Sequence, residues 1–209
     1  MLKLFCARGA CSLASHIALV EAGAPYEAIV LDFTKDDQRK PEYLSVNPKG
    51  RVPALVTDAG VLTETPAILA FIAQTFPAAR LAPLGDPFAF ARVQAFNSYL
   101  CSTVHVAHAH GRRASRWADD AEAIKAMQRK VPENVGACFE LIEREMFAGP
   151  WVMGDAYTIC DPYLFTVTQW AEGDGVDVAR FPKVHDHLNR MSARPAVRKA
   201  LDEEGVGAP

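Results

Sequence analysis

The stretch that decides the fold is residues 2–32, LKLFCARGACSLASHIALVEAGAPYEAIVLD, because its apolar pattern changes period twice. Residues 2–5 form a short apolar run that is typical of a buried strand. From Cys11 onward, apolar side chains recur three and four residues apart, which predicts a helix that ends at Gly23. Residues 26–32 return to a strand-like composition. The stretch is therefore predicted to be a βαβ unit with parallel strands and a right-handed crossover.

A second unit follows in the order strand, strand, helix. The apolar runs 54–56 and 61–63 are separated by residues 58–60 (DAG), which is a hairpin signal. Thr65-Pro66 then predicts an N-cap followed by proline in the first turn of an apolar helix. The two units together predict an α/β domain with a mixed four-stranded sheet.

The rest of the chain is predicted to be helical. Residues 79–87 contain prolines and a glycine without a periodic apolar pattern, which is typical of a linker. We therefore expect an α/β domain over residues 1–78 and an all-helical domain over residues 88–209. The longest predicted helices cover residues 88–113 and 121–147. Shorter helices are predicted to begin at Thr158, near Val184 and at Pro195.

The composition excludes several classes of protein. The 209 residues are 50% hydrophobic and carry 22 basic and 25 acidic side chains, so neither a disordered chain nor a nucleic-acid surface is expected. No apolar run reaches the ~18 residues of a membrane helix, and no secretory signal is evident. We expect a cytoplasmic protein that contacts no membrane. The five cysteines form no CxxC pair, so reduced thiols and no metal site are expected.

Cys11 is the first candidate for chemistry. It lies at the predicted strand-to-helix turn, where free helix amides and the helix dipole favour an anion and lower the pKa of a thiol. The thiol is expected either to act as a nucleophile or to donate a hydrogen bond to the sulfur anion of a ligand. The alternative for Cys11 is a small buried apolar residue. Cys6, Cys101, Cys138 and Cys160 are expected to serve packing only.

Two further places predict contacts to a ligand. A proline that opens a hairpin strand, as in Val52-Pro53, can be cis, which leaves the preceding amide and carbonyl free to pair with an extended peptide. An ordinary trans proline is the alternative. Thr65 offers a hydroxyl and free helix amides to a carboxylate, and Glu64 can pair with an ammonium group. A helix cap and a solvated glutamate are the alternative for this pair.

Three histidines lie in the long helix after the predicted linker. His105 and His108 share a helix face, but no acidic residue at helical spacing completes a metal site with them. We expect one of the three, which also include His110, to act as an acid or base facing Cys11.

Two other signals are interpreted as structural. Thr158 and Asp161 have the spacing of a capping box, in which two side chains satisfy the free amides at a helix start. Arg112, Arg113 and Arg116 are expected on a solvated or interface face.

Four motifs stand along the chain in a specific order and spacing. They are GACSLASH at 9–16, VNPKGRVPAL at 46–55, LTETPAI at 62–68, and TICD with YLFTV at 158–167. With these motifs the sequence resembles the bacterial cysteine-type (beta-class) glutathione transferases over nearly its whole length. The resemblance implies a thioredoxin-like N-terminal domain (βαβ then ββα), an all-helical C-terminal domain, a homodimer and a role in detoxification.

Carried over residue by residue, the resemblance assigns site residues. It makes Cys11 the thiol beside the glutathione sulfur and His105 the histidine that reaches this sulfur from the helical domain. Val52 would pair its backbone with the cysteinyl residue of glutathione, held by a cis Pro53. The remaining implied glutathione contacts are Ala10, Lys35 at the glycyl carboxylate, Glu64 and Thr65 at the γ-glutamyl end, and Asn97 with Ser98.

Three functions are compatible with these residues. In the first, glutathione is a co-substrate whose thiolate attacks a small apolar electrophile in a cleft lined by Ala7, Arg8, His108 and Trp170. In the second, Cys11 is a redox nucleophile that forms a mixed disulfide with glutathione, as in thiol transfer or peroxide reduction. In the third, the chain is a non-catalytic ligand carrier with this fold.

Overall fold

A four-stranded sheet forms the first part of the chain in the computed structural model, which describes residues 1–207. Its strands are β1 (Leu2–Cys6), β2 (Tyr26–Val30), β3 (Ala54–Thr57) and β4 (Gly60–Thr63). The spatial order is β2-β1-β3-β4, with β1 and β2 parallel and the other neighbours antiparallel. The predicted mixed sheet is confirmed, because the four apolar runs pair in the predicted directions.

Three helices accompany the sheet: α1 (Ser12–Glu21), α2 (Pro41–Leu44) and α3 (Thr65–Thr75). The N-cap predicted at Thr65 is wrong by one residue. Glu64 occupies the N-cap position with a left-handed φ of 71°, and its side chain makes no capping hydrogen bond. The chain turns from β4 into α3 at Glu64, so Thr65 becomes the first helical residue and is buried.

The second part of the chain is helical, as predicted. Its helices are α4 (Pro87–Tyr99), α5 (His105–Arg112), α6 (Ala121–Leu141), α7 (Cys160–Thr168), α8 (Pro182–Ser192) and α9 (Pro195–Glu204). A π-helical turn, Leu100–Val104, joins α4 to α5, so the two continue one another as the sequence predicts. Among residues 1–207, no helix has the length and apolar character to cross a membrane.

Helix α1 is the common packing element of the two parts. Every side chain from Ser12 to Leu19 is buried, and the helix contacts α3 on one side and α7 and α9 on another. Leu13 and Ile17 share an apolar cluster with Phe165 of α7. Burial on several sides fixes the position of the loop and the cysteine that precede α1.

The end of α9 fastens α1 through hydrogen bonds. The ring nitrogens of His16 lie 3.0 Å from Glu204 Oε1 and 2.8 Å from Glu203 Oε2. Cys6, His16 and Glu204 bring possible metal ligands within 4.8 Å of one another. Because carboxylates already engage both ring nitrogens of His16, hydrogen bonding alone satisfies this group.

The N-cap predicted at Thr158 is wrong by one residue, because Ile159 occupies the N-cap position and α7 begins at Cys160. The predicted pair of side chains still binds backbone amides, since Thr158 Oγ1 accepts from Cys160 and Asp161 accepts from Thr158. Asp161 is completely buried and accepts hydrogen bonds from the amides of Thr158 (2.7 Å) and Val152 (2.9 Å). His187 Nε2 lies 3.1 Å from the same carboxylate. Asp161 therefore joins the start of α7 to α8 and to the turn before α7.

Replacing Asp161 with alanine is expected to destabilise the protein strongly. The change leaves two buried amides and His187 without their acceptor, at a cost of about 3–5 kcal/mol in the free energy of unfolding. The matched control is Asp86→Ala, because Asp86 caps α4 through the amides of Phe88 and Ala89 at an exposed site. That loss should cost only about 1 kcal/mol. Urea unfolding measures the free energy of unfolding of both variants. Equal decreases in the two variants would contradict a special role for the buried carboxylate.

Candidate active site

A cavity of about 730 Å³ lies where the sheet part meets the helical part. It is lined by the loop before α1, by the segment before β3, by the start of α3 and by α5. Most of the residues predicted to bind glutathione line this cavity: Ala10, Cys11, Val52, Pro53, Glu64, Thr65 and His105. Residues that are far apart in the sequence are thus brought to one place.

The Val52-Pro53 peptide bond is cis, as the resemblance implies. Two side chains hold the backbone just before it, because Tyr43 Oη and Asn47 Nδ2 each donate to the Arg51 carbonyl at 2.6 Å. The Val52 carbonyl accepts a hydrogen bond from Cys11 Sγ at 3.3 Å. The Val52 amide has no acceptor among residues 1–207, so it is available to a ligand in the cavity.

The Cys11 thiol is protonated, which corrects the expectation of a lowered pKa. Burial raises the pKa of Cys11 to about 11, although a hydrogen bond with Thr65 and the charge of Arg113 act in the opposite direction. The position at the start of α1 is as predicted, but loss of water around the sulfur outweighs the nearby favourable groups. The thiol is therefore a hydrogen-bond donor at neutral pH.

His105 is the histidine that presents a free ring to the cavity. Burial, followed by the charges of Arg113 and His108, lowers the pKa of His105 to about 4, so its imidazole is neutral at neutral pH. His108 is buried, and its Nδ1 lies 2.5 Å from Asp174 Oδ2. Trp170 packs edge-on against both rings. His105 is thus better placed than His108 to meet a ligand.

The start of α3 supplies the polar end of the cavity. Lys49 forms an ion pair with Glu64 and donates to Thr63 Oγ1 at 2.7 Å. Thr65 is near enough to Cys11 to counter part of the rise in the pKa of its thiol. Glu64 and Thr65 therefore line one wall of the cavity that Cys11 also lines.

Three predicted glutathione contacts lie outside the cavity lining. Lys35 is largely exposed, and its Nζ pairs with Asp32 Oδ2 at 3.4 Å. Asn97 is completely buried on α4, and its amide atoms have no partner within the part of the chain that the structure describes. Ser98 is exposed. Neighbouring positions on a helix face different directions, so Asn97 and Ser98 cannot replace one another.

Several cavity residues were not identified from the sequence. Arg112 and Arg116 are exposed, as predicted, and Arg113 is half-buried, but all three also line the cavity, which the prediction did not include. Of the predicted cleft wall, Arg8, His108 and Trp170 line the cavity, whereas Ala7 does not. The other unpredicted lining residues include Arg39, Arg51, Cys101, Trp117, Tyr163 and Asp174. Arg51 and Tyr163 lie within two of the motifs, but no local signal marks the others, which only the packing of α5 against the sheet part brings to the cavity.

Comparison with known proteins places this geometry in a family. Residues 1–74 match the family model for the glutathione S-transferase N-terminal domain, and residues 99–195 match the model for its C-terminal domain. Glutathione S-transferase GstA of Escherichia coli O157:H7 is 33% identical over 98% of this chain and 100% of its own length.

Solved structures agree with this assignment. A glutathione transferase homologue from Sulfitobacter, solved with bound glutathione, has a TM-score of 0.94 at 44% identity and covers 97% of this chain and 98% of its own. A beta-class glutathione S-transferase of Sphingomonas chungbukensis has a TM-score of 0.85 at 34% identity and covers 98% and 100% of the two chains. The fold, the cavity and both halves of the sequence therefore agree: this chain belongs to the glutathione S-transferase family.

Proposed function

We propose that this chain conjugates the thiolate of glutathione to a small electrophile. The observation that carries the proposal is the Cys11 thiol, which donates to the Val52 carbonyl beside the cis Val52-Pro53 peptide, in the cavity that His105 also lines. A thiol donor at this place can stabilise the sulfur anion of a ligand, and burial, which raises the pKa of Cys11 to about 11, makes the thiol itself a poor nucleophile at neutral pH.

The backbone geometry supports an extended pose for glutathione. Its cysteinyl residue would pair with the Val52 amide and carbonyl, as an added strand does at a sheet edge. Its γ-glutamyl carboxylate would take the Thr65 hydroxyl and the free amides at the start of α3, with Glu64 near the ammonium group. Arg39 and Arg51 line the cavity, whereas Lys35 does not. We therefore assign the binding of the glycyl carboxylate to these two arginines.

Ionisation of the glutathione thiol is the chemical task of the site. Each unit by which the site lowers the pKa of this thiol, ordinarily ~8.5, requires about 1.4 kcal/mol of preferential binding of the thiolate. The Cys11 thiol, the amides before α1 and an N–H of neutral His105 are the available donors. The thiol proton passes to solvent, the sulfur forms a bond to an electrophilic carbon, and the leaving group departs with its electron pair.

We further propose a homodimeric, cytoplasmic enzyme of the beta class that acts in detoxification. The four motifs and the likeness to the beta-class Sphingomonas structure support the class. The side chain of Phe88 on α4 is 76% exposed, which suits a face covered by a second copy. We keep the domain division at residues 1–78, 79–87 and 88–209 as part of this proposal.

Cys11→Ala is expected to lower kcat/KM for conjugation of an activated aryl halide by about 10-fold, because one hydrogen bond to a charged sulfur is lost. Cys11→Ser should retain more of the activity, since the hydroxyl is still a donor. The matched control is Cys138→Ala, which removes a thiol outside the cavity. Full activity in Cys11→Ala, with normal glutathione binding, would contradict the proposed role.

The pH profile should show one ionisation, that of bound glutathione. Burial raises the pKa of Cys11 to about 11 and lowers the pKa of His105 to about 4, so neither group changes charge between about pH 5 and 9. We expect kcat/KM to rise once with pH and to show the same single inflection in His105→Gln. A second inflection that disappears in His105→Gln would show that His105 titrates in the working range.

The redox alternative makes a distinct prediction. A thiol that remains protonated at neutral pH attacks oxidised glutathione slowly. We therefore expect intact-mass measurement at neutral pH to find no glutathione adduct on Cys11 within the turnover time of conjugation. A rapid adduct that is absent in Cys11→Ala would favour thiol transfer over conjugation.

A further inference from the structure

The cavity is strongly cationic, which neither glutathione binding nor the resemblance explains fully. Six arginines line it, while its carboxylates are limited to Glu64 and Asp174. The lining arginines are Arg8, Arg39, Arg51, Arg112, Arg113 and Arg116. Arg113 is half-buried and the other five are exposed, so together they give the cavity a positive rim that attracts an anion.

Neither carboxylate neutralises these arginines. Glu64 pairs with Lys49, and Asp174 accepts from the buried His108 ring. Within residues 1–207, the side chains of Arg113 and Arg116 form no ion pair and no hydrogen bond. Guanidinium groups without partners inside a cavity are poised to take a carboxylate or another planar anion in a bidentate geometry.

The arginines are close enough to influence one another. Partial burial, followed by the charges of Arg113, Arg51 and Arg39, lowers the pKa of Arg116. The charge of Arg113 also acts on Cys11 and on His105. The cluster therefore faces the place where the sulfur of glutathione would react.

The cluster divides between the two parts of the chain. Arg39 and Arg51 belong to the sheet part, and the proposed pose of glutathione uses them for its glycyl carboxylate. Arg112 and Arg113 end α5, and Arg116 follows in the next turn. These three line the helical side of the cavity and are not among the residues assigned to glutathione, so they are available to a second anion.

Aromatic side chains stand on the same wall. Trp117 is 47% exposed, lines the cavity and packs against His110 in a tilted arrangement with ring centroids 4.4 Å apart. Trp170 also lines the cavity, and its Nε1 donates to the Gly9 carbonyl at 2.9 Å. An anchored indole and an exposed indole beside guanidinium groups suit a flat aromatic ring that carries a negative group.

We propose that the electrophilic substrate is an aromatic carboxylate, whose ring packs against the tryptophans while Arg113 and Arg116 bind its carboxylate. This inference rests on the proposed transferase function and narrows its substrate class. The ring supplies the carbon to which the glutathione sulfur bonds, and a halide leaves from that carbon with its electron pair. The carboxylate remains unchanged and serves only for binding.

The test compares two substrates that differ in one charge, a chlorodinitrobenzoate and its methyl ester. The wild-type kcat/KM should be about 10-fold or more higher for the carboxylate after correction for the uncatalysed rates with glutathione. Added salt should reduce this preference, because screening weakens the attraction of the arginines for the anion. The carboxylate and the ester share the same leaving group.

Two variants and a matched control locate the effect. Arg113→Gln and Arg116→Gln should each lower kcat/KM for the carboxylate by about 10-fold while changing that for the ester far less. The control is Arg129→Gln, because Arg129 is exposed on α6 and lies outside the cavity lining. It should leave both substrates unchanged.

The possible results separate this inference from the proposed function. Conjugation of the ester with no preference for the carboxylate would overturn the inference and leave the transferase function standing. If the arginine variants lost kcat/KM equally for both substrates and also bound glutathione more weakly, the arginines would belong to the glutathione site. That result would also overturn the inference. Absence of conjugation with either compound would overturn both.

Discussion

The burial of α1 between the sheet and the helical part is the constraint on which the site depends. Because Ser12 to Leu19 are all buried, the helix cannot shift without disturbing the packing on both sides. The loop before it is tied from the helical part as well, since Gly9 donates its amide to Glu204 and accepts from Trp170 through its carbonyl. Cys11 is therefore held against Val52 by packing that involves the whole chain.

Burial of the individual side chains sets the protonation states in the cavity. Loss of water disfavours any charge, so it keeps the Cys11 thiol protonated and the His105 imidazole neutral. The arginines remain charged because guanidinium has a very high intrinsic pKa. The result is a cavity with a neutral thiol and a neutral imidazole, lined also by six arginines. Such a cavity stabilises the anion of a bound ligand more than it stabilises an ionised side chain of the protein.

Local sequence patterns predict much of the fold, but they predict less of the candidate site. The apolar periods predict the strands and most of the helices, and the spacing of Thr158 and Asp161 predicts a hydrogen bond between them that the structure contains, although the helix starts two residues later than predicted. The Cys11 pKa could not be read from its place before α1, because burial by distant elements decides it. Arg113 and Arg116 follow a helix end without any motif, so only tertiary packing shows that they face the cavity. The N-cap was misplaced at Thr65, because a left-handed Glu64 is not evident from sequence.

The most direct test of this account is a pH titration of thiolate absorbance in four samples, wild type and Cys11→Ala, each with and without glutathione. The account predicts that wild-type protein alone develops no Cys11 thiolate between about pH 6 and 9. It predicts that bound glutathione gives a thiolate with a pKa below its solution value, and that this pKa rises in Cys11→Ala. A thiolate in the ligand-free wild type that is missing from ligand-free Cys11→Ala would contradict the account, because Cys11 would then be the anion.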